Sequence, residues 1–242
     1  SNSLFGSVDE IALYRSIVPA KVFAGRYERI EPEKILPEPK PGALVLTLHP
    51  WNNRSKFPIN PKTAIGQWEQ SSLGFVRLPR NYDDWGVRED WGEGVIVRAV
   101  TEIELEPGNY EFLGRSRGIA RLFVDGEQIL DIPPAKRGGG AHNQVQPVPT
   151  VSREGMRPRF LDDVEKFVSF TSSGSKHTVV FDIMVGGPGL RLEFGEGCLA
   201  IARKGEMFRL IGPEPGPELT DQGWETFVAR TSTELDARDK EA

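Results

Sequence analysis

Gly114-Arg-Ser116-Arg-Gly118 has the G-x-S-x-G spacing of a nucleophile elbow, the first place in this chain to look for covalent chemistry. An elbow serine works on a strand–turn–helix, where a helix N-terminus and an oxyanion hole receive the reacting oxygen. The residues that follow, Arg121-Leu-Phe-Val-Asp-Gly126, read instead as a strand closing in a hairpin turn, and no histidine has an evident pairing role. That argues against a hydrolase. His49, His142 and His177 are far apart and lack the H-x-x-x-H or H-E-x-x-H spacing of a helical metal site. His177 opens a strand and reads as structural. His142, beside Asn143 in a glycine-rich stretch, is the best functional candidate of the three, with a solvated-loop role as the plainer alternative.

Carboxylates cluster once among aromatics, in Asn81-Tyr-Asp-Asp-Trp-Gly-Val-Arg-Glu-Asp-Trp91. Acids accept hydrogen bonds from sugar hydroxyls and aromatic faces stack on pyranose C–H groups, so Asp83, Asp84, Trp85 and Trp91 are candidates for a saccharide site. The alternative is that Trp85 and Trp91 plug one end of the fold while the acids face water. Lys136, Arg137 and Arg117 would favour acidic or sulfated sugars through charge-assisted hydrogen bonds, and with His142 and Asn143 they complete the candidate surface. Asp162-Asp163 suits the positive end of a short helix better than a metal. There is no C-x-x-C-H haem attachment, phosphate loop or EF-hand loop, and no cofactor or metal is expected.

Composition bounds the partners. The 242 residues carry 30 basic and 35 acidic side chains, intermixed and without a basic stripe, which argues against nucleic acid. A single cysteine, Cys198, rules out a disulfide within the chain and reads as a buried thiol in an apolar strand. No apolar run reaches the length of a membrane span. Ser1-Asn2 reads as an expression scar, so a piece of a longer protein is expected.

The elements that must position these residues are short strands. The 26 glycines and 19 prolines fall mostly between short apolar runs, which favours many strands and turns. Strands are expected at 43–48, with Leu44, Leu46 and Leu48 on one face, and at 95–106, with Glu102, Glu104 and Glu106 on a wet face. Others are expected at 167–170, 177–185, 190–194, 198–203 and 207–211. Asp125-Gly126 is a two-residue hairpin signal, since both central positions take positive φ. Residues 50–93 read as loop-rich, 132–164 as a long insertion, and 219–242 as a helix capped by Thr220 or Asp221, with Trp224 and Phe227 three apart. Residues 31–42 form a proline-studded linker. The expected fold is all-β: an antiparallel sandwich or barrel over 43–212, with short terminal helices, and 213–242 as linker and helical tail.

Two stretches carry a family resemblance. Pro107-Gly-Asn-Tyr-Glu-Phe112 and Arg121-Leu-Phe-Val-Asp-Gly126 resemble the G-x-Y-x-F and R-L-x-x-D-G motifs of PA14 domains, and Lys176-His-Thr-Val-Val-Phe181 is similar to that family's closing G-x-H-x-I element. The resemblance implies a β-sandwich in which Tyr110 and Phe112 point inward from a strand antiparallel to the one carrying Leu122. It implies carbohydrate binding as well. Calcium-dependent members carry two adjacent aspartates just before R-L-x-x-D-G, where this chain has Arg117-Gly118, so the usual calcium site is expected to be missing. Residues 1–30 resemble the closing strand and trailing helix of a laminin-G-like domain. The combination resembles large extracytoplasmic proteins of planctomycete-type bacteria, which implies a periplasmic or secreted setting.

The functional expectation is therefore a non-catalytic module of a larger exported protein that binds a glycan or polysaccharide. The alternative is a structural or docking domain that packs against neighbouring domains of its own polypeptide and takes no ligand.

Overall fold

The computed structural model describes residues 37–51, 61, 63–82, 88–89, 94–134, 149–160, 163–185 and 197–241. The chain divides into two compact units, 1–34 and 35–242. The first unit lies outside the described residues, as do the expected laminin-G-like tail and the first half of the proline linker.

Thirteen strands are described: β1 (Leu44–Pro50), β2 (Gly66–Gln70), β3 (Gly74–Phe75), β4 (Asn81–Tyr82), β5 (Arg88–Glu89), β6 (Val95–Leu105), β7 (Gly108–Ser116), β8 (Ala120–Val124), β9 (Glu127–Ile132), β10 (Val164–Ser172), β11 (Ser175–Val185), β12 (Gly197–Arg203) and β13 (Arg209–Leu210). A helix, α1 (Asp221–Glu241), follows them. One sheet has the order β2-β1-β6-β11-β8-β9. The second has the order β10-β7-β12-β13, with β3 also paired to β12, and β4 pairs only with β5. Every pairing is antiparallel. The protein is an all-β, two-sheet antiparallel sandwich with a C-terminal helix.

Period-two alternation builds the core. Leu44, Leu46 and Leu48 meet Val97, Ala99, Leu122, Phe181 and Ile183 on one inner face, and Phe112 and Leu199 face them from the other sheet. Asp125 and Gly126 have φ of 52° and 88° and join β8 to β9, as a type I′ turn requires.

The two motif strands are not neighbours in one sheet. β7 lies in the second sheet between β10 and β12, whereas β8 lies in the first between β11 and β9. Phe112 therefore packs in one core with Leu122 across the two sheets rather than along a shared ladder. The cause is the short connection 117–119, which crosses between sheets and is held on β11 by the Met184 N–H donating to the Ile119 carbonyl at 2.8 Å.

The stretch 50–93 is also less irregular than its composition suggests. β2 reads Gly-Gln-Trp-Glu-Gln, too polar to announce itself, yet Trp68 and Gln70 are buried and hydrogen bonded to each other at 2.8 Å. The 190–194 strand expected from alternation lies outside the described residues.

Helix α1 is a third layer. At 21 residues it is not a short appendage. Thr220 caps it, its hydroxyl accepting from the Gly223 N–H at 3.0 Å. Trp224, Phe227, Thr231 and Leu235 recur at helical spacing and are buried. With Leu219 and Phe208, the first two cover Leu113, Cys198 and Ala200 on the outer face of the second sheet. Cys198 is a buried thiol, as its apolar strand predicts.

Candidate functional site

Ser116 ends β7 and is buried, in register with Val164 of β10. The glycines around it serve packing. A Cβ on Gly114 would sit 2.8 Å from Ile132 Cδ1, and one on Gly118 would sit 2.2 Å from the Met184 carbonyl oxygen. Neither spacing belongs to an exposed elbow, and β8 follows where a helix would be needed.

A different serine meets a histidine. His177 Nδ1 lies 2.6 Å from Asp125 Oδ2, and His177 Nε2 lies 2.9 Å from Ser172 Oγ and 3.2 Å from Ser175 Oγ. The residue types are those of a catalytic triad, but the exposures are inverted. A nucleophile must be open to substrate and its aspartate shielded. Here Ser172 is 2% exposed, while the Asp125 side chain is 51% exposed. Ser172 Oγ already accepts from the Gly174 N–H at 3.0 Å, and Asp125 Oδ1 accepts from the Thr178 N–H at 2.9 Å. The Phe170 ring closes the histidine edge-on at 5.0 Å. This network pins the β8–β9 turn to the β10–β11 turn. It holds structure rather than presenting a reactive oxygen.

Of the sequence-predicted site residues, Arg117 alone is described. Asp83, Asp84, Trp85, Trp91, Lys136, Arg137, His142 and Asn143 lie outside the described residues. Arg117 Nε sits 3.2 Å from Asp163 Oδ1, and that carboxylate is fully buried. Asp163 is therefore an ion-pair partner rather than a helix cap.

Strand register does show where the candidate segments attach. Val95 opens β6 opposite Val185, the last residue of β11, and Pro50, the last of β1. Ala120 opens β8 opposite Ile132, the last of β9. Ser116 at the end of β7 pairs with Val164 at the start of β10, and Arg115 pairs with Cys198 near the start of β12. These termini all lie at one end of the sandwich. The sequence segments 90–94, 117–119 and 133–163 leave from them.

Buried charge is what periodicity did not reveal. Arg98, Asp182 and Arg121 are cross-strand partners on the outer face of the first sheet, and all three are buried. Arg98 grips both Asp182 oxygens, Nε to Oδ1 at 2.7 Å and Nη2 to Oδ2 at 2.8 Å, while Arg121 Nη2 reaches Oδ2 at 3.0 Å. Burial pulls the Arg121 guanidinium below its ordinary value, against the opposing pull of Asp182. In the second sheet Arg115 Nε donates to Glu165 at 2.7 Å and its Nη2 to the Arg157 carbonyl at 2.9 Å. The available signal was a charged residue at a mid-strand position within an apolar run.

The opposite end of the sandwich holds a cleft of about 380 Å³. It lies between the end of β6, the start of β7, the end of β12 and residues 209–215. Its walls are tied together. The Tyr110 hydroxyl donates to the Glu106 carbonyl at 3.1 Å, Arg203 Nη1 donates to the Glu106 carboxylate at 3.1 Å, and Arg203 Nη2 donates to the Pro107 carbonyl at 3.3 Å. Among the described residues no group of three or more His, Cys, Asp or Glu side chains is placed to hold a metal ion, and no helix is long and apolar enough to cross a membrane.

No family model and no curated protein matches this chain. Among solved structures it is similar to a PA14 domain of the MpAFP antifreeze protein, at 13% identity and TM-score 0.47, over 74% of this chain and 92% of that one. The A domain of epithelial adhesin 9 from Candida glabrata, solved with Galβ1-3GlcNAc, is similar at 10% identity and TM-score 0.33, over 69% and 84%. A third is a PA14 sugar-binding domain from an RTX adhesin, at 13% identity and TM-score 0.44, over 72% of this chain and 96% of that one.

Proposed function

We propose that this sandwich is a non-catalytic, PA14-like carbohydrate-recognition or adhesion module of a larger exported protein. The ligand is taken at the end where the candidate segments leave the strands. One observation carries the reading: the register that brings the start of β6, the β7–β8 crossing and the end of β9 to a single end. Two segments far apart in sequence, one with carboxylates and tryptophans and one with Lys136, Arg137, His142 and Asn143, thereby attach at the same end of the first sheet, at β6 and β9, with β11 and β8 between. Arg117 follows β7 at the same end.

Recognition here proceeds without the PA14 family's paired-aspartate calcium site. A guanidinium does not ligate a cation, and Gly118 supplies no side-chain oxygen. The inverted Ser172–His177–Asp125 arrangement supports a non-catalytic role.

A glycan array spanning neutral, uronic and sulfated oligosaccharides, run with and without chelator, tests the proposal. Binding of acidic glycans that survives chelation and falls in the Lys136→Ala/Arg137→Ala double variant is the expected result. Silence across the whole array would refute it.

A docking role without ligand is the second reading, favoured because Arg117 already engages Asp163. In a longer piece of the polypeptide, that reading predicts protection of residues 81–91 from hydrogen exchange.

A further inference from the structure

We propose that the last turns of α1 are a latch on the segment entering β4, so that the helix positions the β4–β5 hairpin. Strand β4 opens the carboxylate-and-tryptophan segment 81–91, and the latch therefore governs how that segment is presented to ligand. Only this last step rests on the glycan reading above. Asp236 and Asp239 stand three apart and share a helix face. Arg77, in the loop between β3 and β4, joins both: its Nη2 donates to Asp236 Oδ1 at 2.7 Å, and its Nη1 lies 2.9 Å from Asp239 Oδ2. The same guanidinium donates to the Leu78 carbonyl at 3.0 Å, which fixes it to its own loop. Arg80, the residue before β4, donates its backbone N–H to Asp239 Oδ1 at 2.9 Å. Arg238 Nη1 reaches back to the Arg80 carbonyl at 3.5 Å.

A lone surface ion pair contributes little. Here the Asp239 side chain is only 1% exposed, and its carboxylate meets a backbone amide as well as the guanidinium groups of Arg77 and Arg238. The two carboxylates also stand at the wrong end of the helix. C-terminal turns carry the negative end of the dipole and favour cations, which α1 supplies as Arg238 and Lys240. Asp236 and Asp239 weaken these turns as an isolated helix, and Arg77 and Arg80 of the loop offset them. A local preference that only the tertiary contact reverses makes each element depend on the other. The loop holds the helix end and the helix end holds the loop, so the coupling is reciprocal. Leu78 of the loop and Leu235 of the helix are buried in one apolar cluster.

Hydrogen exchange on the whole chain, without ligand, tests the latch. In the Asp236→Asn/Asp239→Asn variant the β4–β5 amides should exchange about tenfold faster, while β1, β6 and β11 keep their wild-type rates. Arg77→Met, made on the loop side, should in turn speed exchange in the last turn of α1. Glu225→Gln removes an exposed charge elsewhere on the helix and should change neither. Circular dichroism establishes that each variant is folded, and Asp236→Asn alone serves if the double variant is not. The latch is overturned if the β4–β5 rates stay at wild type, if the whole sandwich speeds up equally, if Arg77→Met leaves the helix end unmoved, or if Glu225→Gln has the same effect. The ligand step is read separately. An acidic glycan that binds the wild type should bind the double variant about tenfold more weakly, although removing two negative charges would by itself favour an anion. An unchanged or tighter affinity would refute that step. Absence of any binding to the wild type would refute the glycan reading and leave exchange to decide the latch.

Discussion

His177 Nδ1 and Asp125 Oδ2 lie 2.6 Å apart and join two turns that are 52 residues apart in sequence. Asp125 also carries the positive φ of its hairpin, so one carboxylate supports local and long-range structure together. Asp125→Ala should cost about 2–3 kcal/mol, from the loss of bonds to an ionised acceptor and from placing alanine in the left-handed region. Asp125→Asn should cost less, because asparagine tolerates that φ and still accepts from Thr178. Urea midpoints at constant slope measure both. Equal losses would show that the charge, rather than the turn, dominates.

Gly118 has no room for a side chain. A Cβ would meet the Met184 carbonyl oxygen at 2.2 Å, and that oxygen belongs to backbone that cannot swing aside. Gly118→Ala should therefore destabilise by at least about 2 kcal/mol. Installing the PA14 family's aspartate pair, as Arg117→Asp/Gly118→Asp, should lower Tm without producing a calcium-dependent rise. A calcium-induced Tm increase in that variant would contradict the packing argument.

The Arg98–Asp182–Arg121 row contains one anion between two buried cations. Asp182→Ala removes the group that offsets both, and should cost about 3–5 kcal/mol, among the largest single losses in the protein. Asp182→Asn keeps the shape but not the charge, and should fall close behind. Chemical denaturation of the two variants checks the order.

Helix α1 packs on Gly74 through a close approach. A Cβ on Gly74 would come within 2.4 Å of the Phe227 ring. Gly74→Ala should cost about 1–3 kcal/mol by overpacking. In a Phe227→Leu background the same change should cost far less, giving a coupling of at least about 1 kcal/mol in a double-mutant cycle. Additive losses would mean that the helix does not rest on Gly74.

Features set by neighbours in the chain were legible from the residues alone. Alternation along Val95–Leu105 and Ser175–Val185 depends on the two-residue side-chain period, and Asp125-Gly126 turns because those two residues tolerate positive φ. The cap at Thr220 and the stripe through Trp224 and Phe227 are equally local. Which sheet a strand joins is not local. β7 and β8 alternate just as well whether paired or facing, and the three-residue crossing held on Met184 decided that they face. Nor does a spacing pattern tell a nucleophile from a packed serine. Ser116 and Ser172 acquired their roles only when β10 and β11 folded around them, and Gly118 became obligatory only once β11 lay against it. The chain by itself determined strands, turns and a helix, because those follow from backbone sterics and side-chain period. Tertiary packing decided the pairing of charges in the interior and the meeting of distant strand ends at one end of the sandwich, because both depend on contacts between residues that sequence separates.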